Sequence, residues 1–218
     1  MNLWLMWLNT IKYVLDMLSS DAGLGLGLSI IIGTMLLRCV LLPISWPVAY
    51  RGYIRGRKMV KLQPALRILR KRFRDKPELY MQKMSELYRK HDLAIMDYKS
   101  VLGAAVQMPL LVGMYQVLGK LGGGVRFLWV ANLMKPDFLM ALIVAMTTAL
   151  IMAVNPGMSE QTRIILIIVP CIFSFVVALK FSSALAIYWG TSNIFSGVQS
   201  LVLQSVVRHR IRTGELKI

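Results

Sequence analysis

The chain has 218 residues, 56% of them apolar, with 26 Lys and Arg against 10 Asp and Glu. That length allows one domain, and the apolar share exceeds the usual roughly 45–50% of a soluble domain. A net charge of +16 implies an anionic partner, either lipid headgroups or nucleic acid.

Residues 1–22 open the chain as an amphipathic helix. Asn9, Lys12, Asp16 and Ser19 share one face, and Leu8, Ile11, Leu15 and Leu18 share another, with Trp4 and Trp7 near the start. This pattern predicts an interfacial helix on the extracytoplasmic side. A cleaved signal peptide is not expected, because no basic segment precedes the apolar stretch and Asp16 interrupts it. Gly23-Leu-Gly-Leu-Gly27 lacks the Gly-Lys-Ser/Thr of a phosphate loop and reads as a loop with close packing.

Residues 23–50 form the first predicted transmembrane helix, an apolar run interrupted by Arg38 alone. Further charge-free runs cover 100–119, 138–159, 164–179 and 181–207. A membrane helix needs about 20 apolar residues, so residues 100–207 hold spans two to five. The short run 164–179 leans on Lys180 snorkelling to the surface. The fold class is all-α integral membrane, with five transmembrane helices. A soluble domain would have to bury five all-apolar helices, and too few polar faces exist to cover them.

Residues 51–99 are the one sizeable polar segment, a cytoplasmic basic hairpin with fifteen basic and five acidic residues. Leu62, Leu66, Leu69 and Phe73 recur at helical spacing, as do Tyr80, Met84, Leu87 and His91. Pro77 followed by Glu78 starts the second helix. The excess of positive charge points to anionic lipid or ribosomal RNA, with a solvated face as the plain alternative. No DNA partner is expected, since no nucleic-acid motif is present. Residues 208–218 are a short basic tail. With five spans, the 51–99 segment, the 160–163 turn and the tail share one side and carry twenty basic residues; the other side carries five. The positive-inside rule then places the C-terminus in the cytoplasm and the N-terminus outside.

Chemistry is sparse. His91 and His209 lie far apart in basic segments, and Cys39 and Cys171 sit alone in apolar runs, where buried reduced thiols are expected. There is no HExxH, no GxSxG and no carboxylate inside any span. No cofactor, metal or enzyme activity is expected. Pro109 and Pro170 are expected to bend the second and fourth spans, because each removes a backbone donor in mid-helix.

Five segments carry a resemblance. They are Gly27 to Pro43 with its single Arg38; Lys58-Met-Val-Lys-Leu-Gln-Pro64 with Arg74-Asp-Lys-Pro77 and Glu86-Leu-Tyr-Arg-Lys-His91; Val106-Gln-Met-Pro-Leu-Leu-Val-Gly-Met-Tyr115; Phe127 to Asp137; and Ala186-Ile-Tyr-Trp-Gly-Thr-Ser-Asn-Ile-Phe195. In this order the chain resembles the YidC/Oxa/Alb family of membrane protein insertases. Asp92-Leu-Ala-Ile-Met stands where the family commonly has Asn-Pro, and Phe181-Ser-Ser-Ala184 where it often has Pro-Ser-Gly. The resemblance implies a polar groove open to cytoplasm and lipid, containing Arg38, Gln107, Tyr188, Trp189 and Asn193. It implies newly made membrane proteins as clients, with the ribosome and the Sec translocon as further partners. It implies a bacterial inner membrane location, with an organelle inner membrane as the alternative. The competing function is a small anion transporter or channel that uses Arg38.

Overall fold

The structure, a computed structural model, describes residues 2–91, 93, 98–119, 124–154 and 160–216. Among them run eight α-helices: α1 Leu3–Asp16, α2 Gly25–Val40, α3 Leu42–Arg72, α4 Pro77–Lys90, α5 Tyr98–Leu118, α6 Phe138–Val154, α7 Glu160–Ala178 and α8 Ser183–Arg212. One isolated antiparallel bridge joins Phe127 and Val130.

The amphipathic pattern of α1 survives, but its apolar face meets protein. Ile11 and Leu15 are 0% and 2% exposed, inside the main core, while Asn9, Lys12 and Asp16 face outward. A π-helical turn, Met17–Asp21, continues it. Helix α5 accepts α1 at Gly113, where an added Cβ would lie 2.8 Å from both Ile11 Cδ1 and Trp7 Nε1. The Trp7 indole donates to the Pro109 carbonyl at 3.1 Å, and the Trp4 indole to Gln116 Oε1 at 3.3 Å. The apolar stripe expected to face the interface is thus packed on protein at Ile11 and Leu15, while Leu3, Leu5 and Tyr13 stay exposed.

Helices α2 and α3 meet at Leu41 with a 71° bend. Pro43 sits in the first turn of α3, where its missing N–H costs nothing. From there α3 runs unbroken through Pro47 and Pro64 to Arg72. The helix break therefore precedes residue 50, the expected end of the first span, and the first hairpin helix is a direct extension of that span. Among the described residues no single helix is long and apolar enough to cross a membrane; α2 and α3 meet that measure only together. Helix α8 has the length but spends it on Tyr188, Thr191, Ser192, Asn193 and Gln199, which lower its hydropathy.

The centre of the molecule is α6 packed against α7 and α8, with α2 on the other side of α8. Small residues make the approach possible: Ala141 and Ala145 on α6, and Ala184, Ala186 and Gly190 on α8, are all buried. This is how helices associate where lipid offers no hydrophobic drive between them. The outward faces of these helices are apolar, with Leu142, Met146, Ile168, Ile172 and Val198 exposed. A continuous apolar surface of this kind calls for a covering medium.

The loop 124–137 caps one end of the bundle. Asn132 Oδ1 accepts from Gly124 N and Met134 N, and Asp137 caps α6 by accepting from Met140 N at 2.9 Å. Ser183 N and Ala184 N donate to the carbonyls of Lys135 and Leu133, which ties the loop to the start of α8. The glycine-rich turn serves the same end: Gly23 and Gly25 take positive φ, and the Phe127 ring lies where a Gly27 Cβ would be.

The hairpin of α3 and α4 has the expected stripe. Leu62 is buried and Leu66, Leu69, Phe73, Tyr80, Met84 and Leu87 are half-buried, whereas His91 lies beyond α4 and is exposed. Pro77 and Glu78 occupy the first turn of α4. Lys83 donates to Glu86 at 2.9 Å, which holds that exposed carboxyl below its ordinary range. No residue of α4 is fully buried. A segment with so few buried contacts has low local stability. Deleting residues 55–90 is expected to leave a membrane-embedded core that still elutes as one species in detergent. Loss of the core itself in that experiment would make the hairpin structural.

Cys39 and Cys171 are free, but only Cys171 is partly covered; Cys39 is exposed. It follows Arg38 in the last turn of α2 and points about 100° away from the α8 contact, which explains the difference from the expected buried thiol.

Candidate functional site: a polar contact between two apolar helices

Arg38 lies in the last turn of α2, just before the bend. Thr34, one turn earlier on the same face, is fully buried and returns its hydroxyl to the Ile30 carbonyl. Because α2 packs on α8, the arginine meets the first half of that helix. Its Nε donates to Ser192 Oγ at 2.9 Å, and its Nη2 donates to the same oxygen. No acidic side chain among the described residues pairs with it.

Tyr188 stands one turn before Ser192 on the same face of α8 and is fully buried. Arg38 and Ser192 are its polar neighbours, yet its hydroxyl has no hydrogen-bond partner among the described residues. Thr191 is buried beside them, and Ser196 donates to the Ser192 carbonyl at 2.9 Å. Hydroxyls and one guanidinium thus form a polar seam between α2 and α8.

The expected site residues do not all share this seam. Arg38 and Tyr188 come together. Asn193 turns away by one helical position and donates to Thr147 and Thr148 of α6, at 3.3 and 2.9 Å. Its bonds tie α8 to α6. Trp189 is partly buried against the main core. Gln107 falls within α5, but its side chain lies outside the described residues. Helices α5 and α7 both continue through Pro109 and Pro170 as single helices. Ser192 was not anticipated. Its signal was available, since it is four residues after Tyr188 and so on the same face.

Sequence comparison adds the decisive observation. A family model described as 60Kd inner membrane protein matches residues 17–210. The chain belongs to that family. It is the YidC/Oxa/Alb family to which the five segments point. A Clostridium tetani protein named membrane protein insertase YidC is 27% identical over 188 residues, covering 83% of this chain and 82% of that protein. The Oceanobacillus iheyensis protein of the same name is 30% identical over 195 residues, covering 82% and 74%. The Helicobacter pylori protein of that name is 27% identical over 193 residues, and the chain spans only 34% of its length. Family membership makes this a bacterial inner membrane protein and gives the apolar outer faces of α6, α7 and α8 their medium.

Proposed function

We propose that the chain is a membrane protein insertase, which receives apolar segments of newly made membrane proteins and passes them into the bilayer. The observation that carries this reading is Arg38, held by Ser192 in an apolar bundle without an acidic partner among the described residues. A charge at such depth costs about 2.5–3.5 kcal/mol on insertion scales, so it marks a functional site by default. The names of the Clostridium tetani and Oceanobacillus iheyensis relatives support the same function.

In this reading α2 with the start of α3, then α5, α6, α7 and α8, are the five spans. Water enters between α2 and α8 from the cytoplasmic side and hydrates Arg38 and the Tyr188 hydroxyl. The loop 124–137 closes the opposite side. A substrate helix slides along α5 and α7, whose prolines widen the opening. Arg38 draws the polar outer segment of the substrate part-way in, which thins the apolar barrier it must cross. Transfer of the apolar segment to lipid releases about 0.8 kcal/mol per buried CH₂, so no nucleotide is required. The basic hairpin, near anionic lipid and the ribosome, captures the substrate first, and a Sec translocon can deliver others.

Purified chain in proteoliposomes is expected to insert a small coat-type protein. Anion conductance without insertion would replace this function with a channel. Topology has its own test: a cysteine at Ser85 is expected to resist an impermeant thiol label added to intact cells, with the exposed Cys39 replaced by serine. Labelling from outside would invert the arrangement.

A further inference from the structure

The groove between the start of α3 and the end of α8 is not used by the insertase reading. It is lined by Trp46, Pro47, Tyr50, Arg51, Val206 and Arg210, with a cavity volume of about 310 Å³. That is at the lower end of the roughly 300–1,000 Å³ of small-molecule pockets. Beneath it a separate core of Tyr53, Leu203 and Val207 clamps the two helices together, so the walls are fixed.

Both helices change character at this level. The charge-free run of α3 ends at Arg51, and that of α8 ends at Arg208. Each wall is therefore apolar at one end of the groove and carries one arginine at the other, and Trp46 and Tyr50 line the α3 side. Trp and Tyr belong at the level of lipid headgroups. The guanidinium groups are held in place: Arg51 Nε donates to the Pro47 carbonyl at 3.2 Å, and the Arg210 guanidinium lies 5.7 Å from the centre of the Tyr50 ring. Arg210 Nη1 also reaches Tyr50 Oη at 3.5 Å. No acidic side chain among the described residues pairs with either arginine.

We propose that this groove is a binding site for one anionic phospholipid, with its phosphate between Arg51 and Arg210 and its glycerol and upper acyl chain against Trp46, Pro47 and Val206. A phosphodiester can accept paired N–H bonds from each guanidinium. The apolar end, Trp46, Pro47 and Val206, supplies what a free anion would not use, which is why the occupant is a lipid. The site rests on the five-span reading only for its level in the membrane.

The test uses the full chain in phosphatidylcholine vesicles holding a minor share of phosphatidylglycerol, with either lipid brominated. Quenching of Trp46, taken as the difference between the chain and its W46F variant, is expected to favour brominated phosphatidylglycerol. Each arginine near an anionic headgroup contributes about fivefold, so R51Q/R210Q is expected to lose on the order of tenfold or more of that preference. The R208Q/R212Q variant removes equal charge from the same helix end outside the groove and is expected to keep the preference. Equal quenching by both lipids, or equal loss in both double variants, would overturn the site. So would release of phosphatidylglycerol by inorganic phosphate, which would show that only the anion is read. Failure of the chain to enter vesicles at all would instead count against the five-span reading.

Discussion

Alanine at position 38 is expected to lower insertion of substrates with acidic translocated tails by on the order of tenfold or more. A charge-assisted hydrogen bond is worth about 1.5–3 kcal/mol, and about 1.4 kcal/mol is tenfold in rate or affinity. The loss should be smallest for tails without acids, because these gain least from a positive groove. Lysine should retain part of the activity, since it restores charge but offers one compact ammonium where Arg38 directs both Nε and Nη2 to Ser192. Glutamate should be the worst for acidic tails. Ser192→Ala belongs in the same series: it leaves the charge and removes its tether, so partial loss is expected. The assay is protease protection of each tail in proteoliposomes, with size exclusion to show that every variant folds. If Ala, Lys and Glu at position 38 all fold and insert every tail at the native rate, Arg38 is structural and the groove mechanism fails.

Valine at position 27 is expected to lower the thermal transition in detergent more than any other single change at the capped end. The Phe127 ring occupies the space that a side chain there would need. Overpacking a filled site costs about 1–3 kcal/mol, occasionally more. Ring displacement would also loosen the loop that bonds to the start of α8 through Leu133 and Lys135. Phe127→Ala should be destabilising by itself, but the double variant should be less damaged than the sum of the two, because the clash disappears with the ring. Simple additivity would show that Gly27 and Phe127 do not share a contact. The same pair bears on function, since a loosened loop would open the side that the insertase reading keeps closed.

Much of the architecture is written locally. The stripe of Leu62, Leu66 and Leu69 and the Pro77-Glu78 start specify the hairpin, because helical spacing and first-turn chemistry act within a few residues. The alternation of apolar runs with basic segments separates the polar hairpin from the apolar helices in the same way. The close packing expected of the glycine-rich turn is also found, at Gly27. Arg38 is legible as the lone charge in its run. The position of the helix break is less so: Pro43, Pro47 and Pro64 all mark possible breaks, and only the bend at Leu41 is used.

The sequence by itself determined the helical class, the hairpin, the family and the place of Arg38 as the lone charge in its apolar run. Only the tertiary structure decided what Arg38 touches. Its partner Ser192 is 154 positions away, and which side of α8 faces α2 depends on how α8 packs with α6. Adjacent residues on a helix point about 100° apart, so Ser192 faces the arginine while Asn193 faces Thr147 and Thr148. The same holds for α1, whose apolar face fits a membrane surface or a protein groove equally well by composition. Gly113 chose the groove, because a missing Cβ on α5 admits Ile11 and Trp7, and nothing in residues 1–22 records that space.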